Sequence, residues 1–339
     1  MDIFIKSFNR PYYLERCIIS IIKNLNGIYT IIILDDGTSE ECLNKLKDKY
    51  PELIISKSTE AVSKSALIKN HILHDQPIQI TTIPITLWKN AIKESTSDYF
   101  ILLEDDMWLT SPIKVEELKF VMSTNSFMMI KLFSFDFSKP VDWEKNLKVN
   151  DSIDEIITKF QGNSFNKNLF IFLLQNRFYC ASILFKLRMY DYKWHLPIYS
   201  LYSVAGAVFN KEYWLYLWDT DFGKVNENTQ LLNALKWLKK HPNSKFGKIN
   251  NSVQTSFISS ATNMFKGVNL DIYAFNNCIN DYWYQDKLDC MQNYPNDFEV
   301  DYMAEFLDLS KDKRCLKEEW FKWIDNFKNQ YRAYGFSIK

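Results

Sequence analysis

Glycine is scarce in this chain, with only 8 among 339 residues, and no GxGxxG or GxxxxGK[ST] run occurs. The tight turns that let a backbone approach a dinucleotide pyrophosphate or cradle a triphosphate are therefore missing. That counts against a dinucleotide-binding enzyme and against a P-loop NTPase. Net charge is lacking too: 41 Lys+Arg balance 41 Asp+Glu, so no overall field draws the chain to nucleic acid or to an anionic membrane. The six cysteines (Cys17, Cys42, Cys180, Cys278, Cys290, Cys315) are scattered, with no CxxC and no nearby histidine. Thiols in a reducing compartment are expected, not zinc or a disulfide framework. The most apolar long segment, residues 169–187, is interrupted by Gln175, Asn176 and Arg177 and is too polar at its centre to span a bilayer. The chain opens Met-Asp-Ile-Phe-Ile-Lys, with no basic n-region or cleavage site, and a cytoplasmic protein is expected.

Aromatic residues are plentiful instead, at 16%, and Tyr and Trp crowd the C-terminal half. The length suffices for one large α/β domain or two smaller ones. Residues 3–8 read as a strand, and Pro11 opens a helix whose apolar positions recur at helical spacing until Gly27. Strands follow at 31–34 and 53–56, with a helix from Ser39 to Leu46 between them. This β-α-β-α-β order predicts a mostly parallel, Rossmann-like central sheet flanked by helices. Beyond it the spacing predicts helices over 62–73, 87–93, 112–122, 151–160, 169–187, 211–217, 229–239 and 317–331. Strands are expected over 78–83, 99–103, 127–135 and 203–209, and irregular chain over 190–202. His71 and His74 are read as structural or exposed. With no repeat and no low-complexity linker, one domain over 1–265 (halves 1–125 and 126–265) with a helical, aromatic-rich extension over 266–339 is expected.

The focal stretch is Asp98-Tyr-Phe-Ile-Leu-Leu-Glu-Asp-Asp106, an apolar strand ending in three adjacent carboxylates. Three desolvated acids repel one another and call for a cation, a hard divalent metal being the simplest. The alternative is a solvated acidic turn with a helix-capping Asp. Three other motifs precede it in order: Ser7-Phe8-Asn9-Arg10-Pro11, Leu34-Asp35-Asp36-Gly37-Thr38 and Trp88-Lys89-Asn90-Ala91. This succession resembles the nucleotide-sugar half of GT-A glycosyltransferases, most of all family 2. Their pattern runs from Ser/Thr-Tyr-Asn-Arg through Asp-Asp-Gly/Ser and an Arg/Lys-Asn pair to a DxD-type cluster. Glu104-Asp105-Asp106 also resembles the Glu-Asp-Asp cluster of family 13.

The resemblance implies a UDP-sugar donor, Mn²⁺ or Mg²⁺ as cofactor, and a glycan or lipid-linked glycan acceptor. Asp106 would be the metal ligand, and Asp105 would face the ribose or a metal-bound water. Glu104 stands where a DxD has its first Asp. Asp36 would accept the uracil N3–H, with Ser7, Phe8 and Asn9 lining the base pocket and Arg10 nearby. Lys89, beside Asn90, would help hold the diphosphate. Each has a plainer reading: Asp35-Asp36-Gly37 as a strand-to-helix turn, Lys89 as a solvated lysine.

In the acceptor half, a small-residue strand, a helix and an acid opening another helix match the place of the general base in inverting enzymes of this fold. Glu227 is the candidate, with Asp219 and Asp221 as rivals; Asn226-Glu227 departs from the family's Glu-Asp. The plainer reading of Glu227 is an acid favoured by the dipole of its helix. Trp194, Tyr199, Tyr202, Trp214 and Trp218 suit either a sugar platform or core packing. The expected activity is an inverting hexosyl or N-acetylhexosaminyl transfer in surface polysaccharide synthesis, with peripheral membrane contact through residues 169–187. The competing readings are a non-catalytic carbohydrate- or nucleotide-binding module and a sugar-phosphate nucleotidyltransferase; the latter needs a glycine-rich basic loop that residues 7–11 lack.

Overall fold

A computed structural model describes residues 1–80, 82–161, 163–219, 227–249 and 252–338. The N-terminal order is β1 (Asp2–Ser7), α1 (Pro11–Asn24), β2 (Leu25–Asn26), β3 (Thr30–Asp35), α2 (Glu40–Lys49), β4 (Ile54–Lys57) and α3 (Ala61–His74). Pro11 sits at the start of α1, where its missing N–H would have no helical partner, and Ser39 caps α2 through the Cys42 amide. Next come α4 (Ile85–Glu94), β5 (Tyr99–Glu104), β6 (Met107–Leu109), β7 (Ile113–Lys114), α5 (Val115–Thr124) and β8 (Phe127–Lys131). The acceptor half holds β9 (Glu144–Lys148), β10 (Ile153–Thr158), α6 (Ser164–Leu174), α7 (Cys180–Lys186), a 3-10 segment (Tyr192–Leu201), β11 (Ala207–Asn210), α8 (Lys211–Leu217), α9 (Glu227–Lys240), β12 (Lys245–Ile249) and β13 (Val253–Thr255). Helices α10 (Ile272–Tyr284), α11 (Val300–Ser310) and α12 (Lys317–Ala333) end the chain.

Among the described residues the central sheet has nine strands in the order β4-β3-β1-β5-β11-β8-β12-β10-β9. The run from β4 to β5 is parallel throughout, as the βαβαβ pattern requires, and β8 is parallel to β12. Antiparallel β11 joins these two parallel groups, and β10 and β9 extend the sheet antiparallel. Ser7 lies opposite Asp35, and Lys6 opposite Glu104, so three neighbouring strands end together with their polar residues on one carboxyl edge.

Several expected elements came out differently: the stretch expected to be irregular over 190–202 holds the 3-10 segment, and the strands expected over 127–135 and 203–209 shorten to β8 and β11. Residues 151–160 contain strand β10, not a helix; Ile153, Ile156 and Thr158 bury against the core, and their β-branched side chains suit a strand between two partners. Ile78 and Ile80 pack against the core, but residues 78–80 and 82–83 form no strand. The helix expected over 169–187 is two helices bent by 92° around the polar break at residues 175–177. No single helix among the described residues is long and apolar enough to cross a membrane.

The C-terminal helices share the core with the sheet. Trp320 and Trp323 are fully buried, and their indole N–H groups each donate to a carbonyl 2.8 Å away, at Ile258 and Asn263. From α1, the buried Arg16 guanidinium donates to the carbonyls of Cys290 (2.9 Å), Gln292 (3.1 Å) and Asn296. It also lies 4.5 Å above the Trp108 ring and 4.6 Å from Phe298. A buried cation held by carbonyl dipoles and ring faces fixes the 290–298 segment to α1.

Candidate active site

The site begins where β1 ends. Asp36 N–H donates to the Ser7 carbonyl (3.0 Å) and Asp105 N–H to that of Lys6 (2.9 Å), so the chain segments leaving β3 and β5 are tied to β1. Between them runs the Phe8–Arg10 loop. Asn9 adopts a φ of 52° and its amide donates to Thr38 Oγ1 (3.0 Å). Gly37 has a φ of 151°, and a Cβ there would meet the Phe8 ring at 2.9 Å and Lys64 Cβ at 3.1 Å. Glycine is needed because ring and helix both close on the turn.

The three carboxylates are met by two cations that the sequence reading did not assign to them. Arg10, 5% exposed, bonds Asp106 Oδ2 (2.9 Å) and Asp105 Oδ1 at once. Lys6, buried in β1, pairs with Glu104 (2.8 Å) and lies 4.8 Å from the Trp88 ring. Burial alone would raise Glu104, but Lys6 and then Arg10 hold it below the usual carboxylate range. Burial raises Asp105 and Asp106 above it, against the pull of Arg10. For Arg10, burial is outweighed by its two aspartates, so the guanidinium stays charged. The counter-charges resident in the cluster are Arg10 and Lys6.

The roles divide accordingly. Asp105 is 2% exposed and has one oxygen on Arg10 and the other on Phe8 N–H (3.1 Å). It anchors the loop, with both of its oxygens engaged by the protein. Asp106 keeps Oδ1 buried and without a hydrogen-bond partner. Among the described residues no cluster of three or more His, Cys, Asp or Glu is arranged to hold an ion. One free carboxylate oxygen still fits a hard divalent ion whose other ligands are phosphate oxygens and water. Arg10 thus lies in the acid cluster, between Asp105 and Asp106.

Asp36 receives Lys64 Nζ (2.6 Å) and the Ser58 hydroxyl (2.6 Å), and Lys64 also donates to the Thr82 carbonyl (2.9 Å). Burial raises the Asp36 pKa in spite of Lys64 and Ser58. Asp35, fully buried, accepts from the amides of Gly37 (3.1 Å) and Thr38 (3.2 Å) and is pushed by burial up to about 6. The Ser7 hydroxyl and the Asn9 amide nitrogen Nδ2 are buried without partners, leaving two polar atoms between Asp36 and Asp106 in the chain's folded order. Lys89 is half-buried and Asn90 exposed on α4; from that helix it is Trp88 that approaches the cluster, through Lys6.

Glu227 is the first residue of α9 and remains open to solvent. Partial desolvation raises its pKa; the Tyr199 hydroxyl lowers it and Glu104 raises it. Burial raises the phenol of Tyr331 in α12 to about 12, with Asp106, Glu104 and Glu227 each adding to the shift. These three acids therefore act on one region. Asp219 is exposed after α8, and Asp221 lies outside the described residues. Tyr202, Trp214 and Trp218 are buried and serve the core, Tyr199 is half-buried, and Trp194 is 44% exposed. His71 bonds Asp271 (2.5 Å) and the Gln76 carbonyl (2.6 Å), a structural role.

Sequence reasoning passed over Lys6, Lys64 and Ser58, and gave Trp88 no role of its own within its motif. Two of these left a signal: Lys6 interrupts an apolar strand, and Lys64 stands on the buried stripe Ala61-Lys64-Ile68 of α3.

No family model matches the chain, and no curated protein matches it. Among solved structures it is similar to S. aureus TarS 1–349 in complex with UDP-GlcNAc, at 12% identity and a TM-score of 0.42, over 96% of this chain and 80% of that one. It is also similar to TarS 1–349 in complex with UDP, at 11% identity and a TM-score of 0.41, over 90% and 70%. Another is glucosyl-3-phosphoglycerate synthase from Mycobacterium tuberculosis in complex with Mn²⁺, UDP-glucose and phosphoglyceric acid, at 11% identity and a TM-score of 0.39, over 75% and 71%.

Proposed function

We propose that the chain is a GT-A glycosyltransferase that moves a hexosyl or N-acetylhexosaminyl group from a UDP-sugar to a hydroxyl of a glycan or glycolipid. The observation that carries the reading is the shared carboxyl edge of β3, β1 and β5. There Asp36, the Ser7–Arg10 loop and Asp106 follow one another across adjacent parallel strands. Ligands of open α/β sheets bind at such an edge.

In this reading Asp36, kept in place by Lys64 and Ser58, accepts the N3–H of uracil and so prefers uracil to cytosine, which lacks that proton. The unpartnered Ser7 and Asn9 polar atoms supply further hydrogen bonds to the nucleoside. Asp106 Oδ1 would hold Mn²⁺ or Mg²⁺, which when bound supplies a Lewis acid to the leaving diphosphate. Arg10 and Lys6 keep Asp106 and Glu104 oriented, and Lys89 lies on the helix beyond them. Glu227 takes the acceptor proton as the hydroxyl attacks C1 from the face opposite the diphosphate. Its raised pKa suits a base working near neutral pH, and the products would have inverted anomeric configuration. The proposed division is a transferase domain over 1–265 and an extension over 266–339 that brings Tyr331 to the acids. Its proposed place of action is the cytoplasm, against a membrane that carries the acceptor.

The test is UDP release from a panel of UDP-sugars with Mn²⁺. Release from at least one donor, abolished by Asp106→Asn, is expected. Undiminished release by Asp106→Asn, or in excess EDTA, would refute the mechanism.

A further inference from the structure

Between Ile156 and Tyr190 the chain carries five basic residues (Lys159, Lys167, Arg177, Lys186, Arg188) and no acidic one, in a protein of zero formal charge. This stretch contains α6, α7 and the 92° bend between them. At the bend Asn176, Phe178 and Tyr179 take φ values of 46°, 54° and 58°. Left-handed backbone is unfavourable for aromatic residues, yet the bend leaves both rings outside: Phe178 is 84% exposed and Tyr179 74%. Ile183, Leu187 and Met189 are more than half exposed as well, and Arg177, Lys186 and Arg188 stand in solvent between them. Aromatic and aliphatic side chains interleaved with cations are what a headgroup layer accepts. The apolar groups enter the acyl boundary and the basic ones meet phosphate. A second copy of the chain is a poor occupant, because it would bring the same cations face to face.

We propose that the α6–α7 bend docks on an anionic phospholipid bilayer. The inference deepens the membrane contact of the proposed function by naming its surface and its lipid charge. A cleft of about 400 Å³ beside the patch is lined by Leu173, Lys186 and Asn228, among others. Asn228 follows Glu227, so docking would set the lipid surface next to the start of α9, where the transferase reading puts the acceptor.

The experiment is co-sedimentation of the full chain with vesicles of phosphatidylcholine alone and vesicles with about one-third phosphatidylglycerol. Binding to the anionic vesicles, weak binding to the neutral ones, and release by about 1 M salt are expected. Phe178→Ser/Tyr179→Ser and Lys186→Glu/Arg188→Glu should each lower binding by about tenfold or more. Circular dichroism and UDP binding of both variants should match wild type, which shows the fold intact and separates failure here from failure of the transferase reading. Equal binding to both vesicle types, no binding to either, or undiminished binding by both variants would overturn the proposal. So would a dimer in light scattering that Phe178→Ser/Tyr179→Ser dissolves, since the patch would then belong to a second copy.

Discussion

Replacing Arg10 by glutamine removes the one guanidinium that neutralises two buried aspartates. Arg10 is 5% exposed and Asp105 2%, so solvent screens the pair little. Removing one partner of a buried ion pair costs about 3–5 kcal/mol, because the other is left charged and unpaired. For a chain of this size that corresponds to a fall in Tm of about 4–7 °C. The loss should depend on pH in a stated direction. Asp105 is raised by burial to about 7 even with Arg10 pulling it down, against about 3.9 unfolded. Without Arg10 it rises further, and a carboxyl raised in the folded state binds its proton more tightly there. The deficit of Arg10→Gln should therefore be larger at pH 8 than at pH 5, where Asp105 is protonated with or without Arg10. Melting curves at both pH values measure it. Mn²⁺ should also raise the Tm of the variant more than that of wild type, since both Asp106 oxygens are then free. A deficit below about 1 kcal/mol at pH 8, or one that grows on acidification, would refute the electrostatic account of the cluster.

Asp36→Ala should weaken UDP binding more than it slows transfer, and should lower Tm because buried Lys64 loses its carboxylate; calorimetry beside steady-state rates separates the two. Glu227→Gln should lower kcat by about 10²–10⁴-fold with UDP-sugar affinity unchanged; a normal rate moves the base to Asp219 or Asp221. Asp35, pushed up by burial to about 6, contributes stability that is complete below its unfolded pKa and lost as pH rises through about 6. The gain in Tm from pH 7.5 to pH 5 should accordingly be smaller in Asp35→Asn than in wild type, and identical profiles would contradict the assignment.

The N-terminal half was legible because local pattern and tertiary role agree there. Apolar runs at 3–5, 31–34 and 99–103 end in polar residues, and parallel pairing brings those ends together on one edge. The acidic motifs could be located, but not what neutralises them. Lys6 and Lys64 reach Glu104 and Asp36 only through the fold, from a strand and a helix that the motif spacing does not connect. Beyond residue 140 the reading weakened for a different reason. Residues 151–160 mix acids with isoleucines, and the strand is fixed by pairing on one side with the nearby β9 and on the other with β12, about ninety residues on. Tyr331, about a hundred residues beyond Glu227, packs on Phe135 and Phe257 and has its phenol raised in part by Asp106, Glu104 and Glu227, which no local pattern carries.

The central claim, a uridine nucleotide held between Asp36 and an ion at Asp106, is tested most directly by titrating wild-type protein with UDP in Mn²⁺ and again in EDTA. The account predicts heat of binding for UDP with Mn²⁺, much weaker binding for CDP, and loss of most UDP affinity both in EDTA and in Asp106→Asn. At about one hundred times its Kd, UDP should add roughly 2.7 kcal/mol to the stability of the wild type. No binding of UDP under any of these conditions, or equal binding of UDP and CDP that neither EDTA nor Asp106→Asn alters, would contradict it.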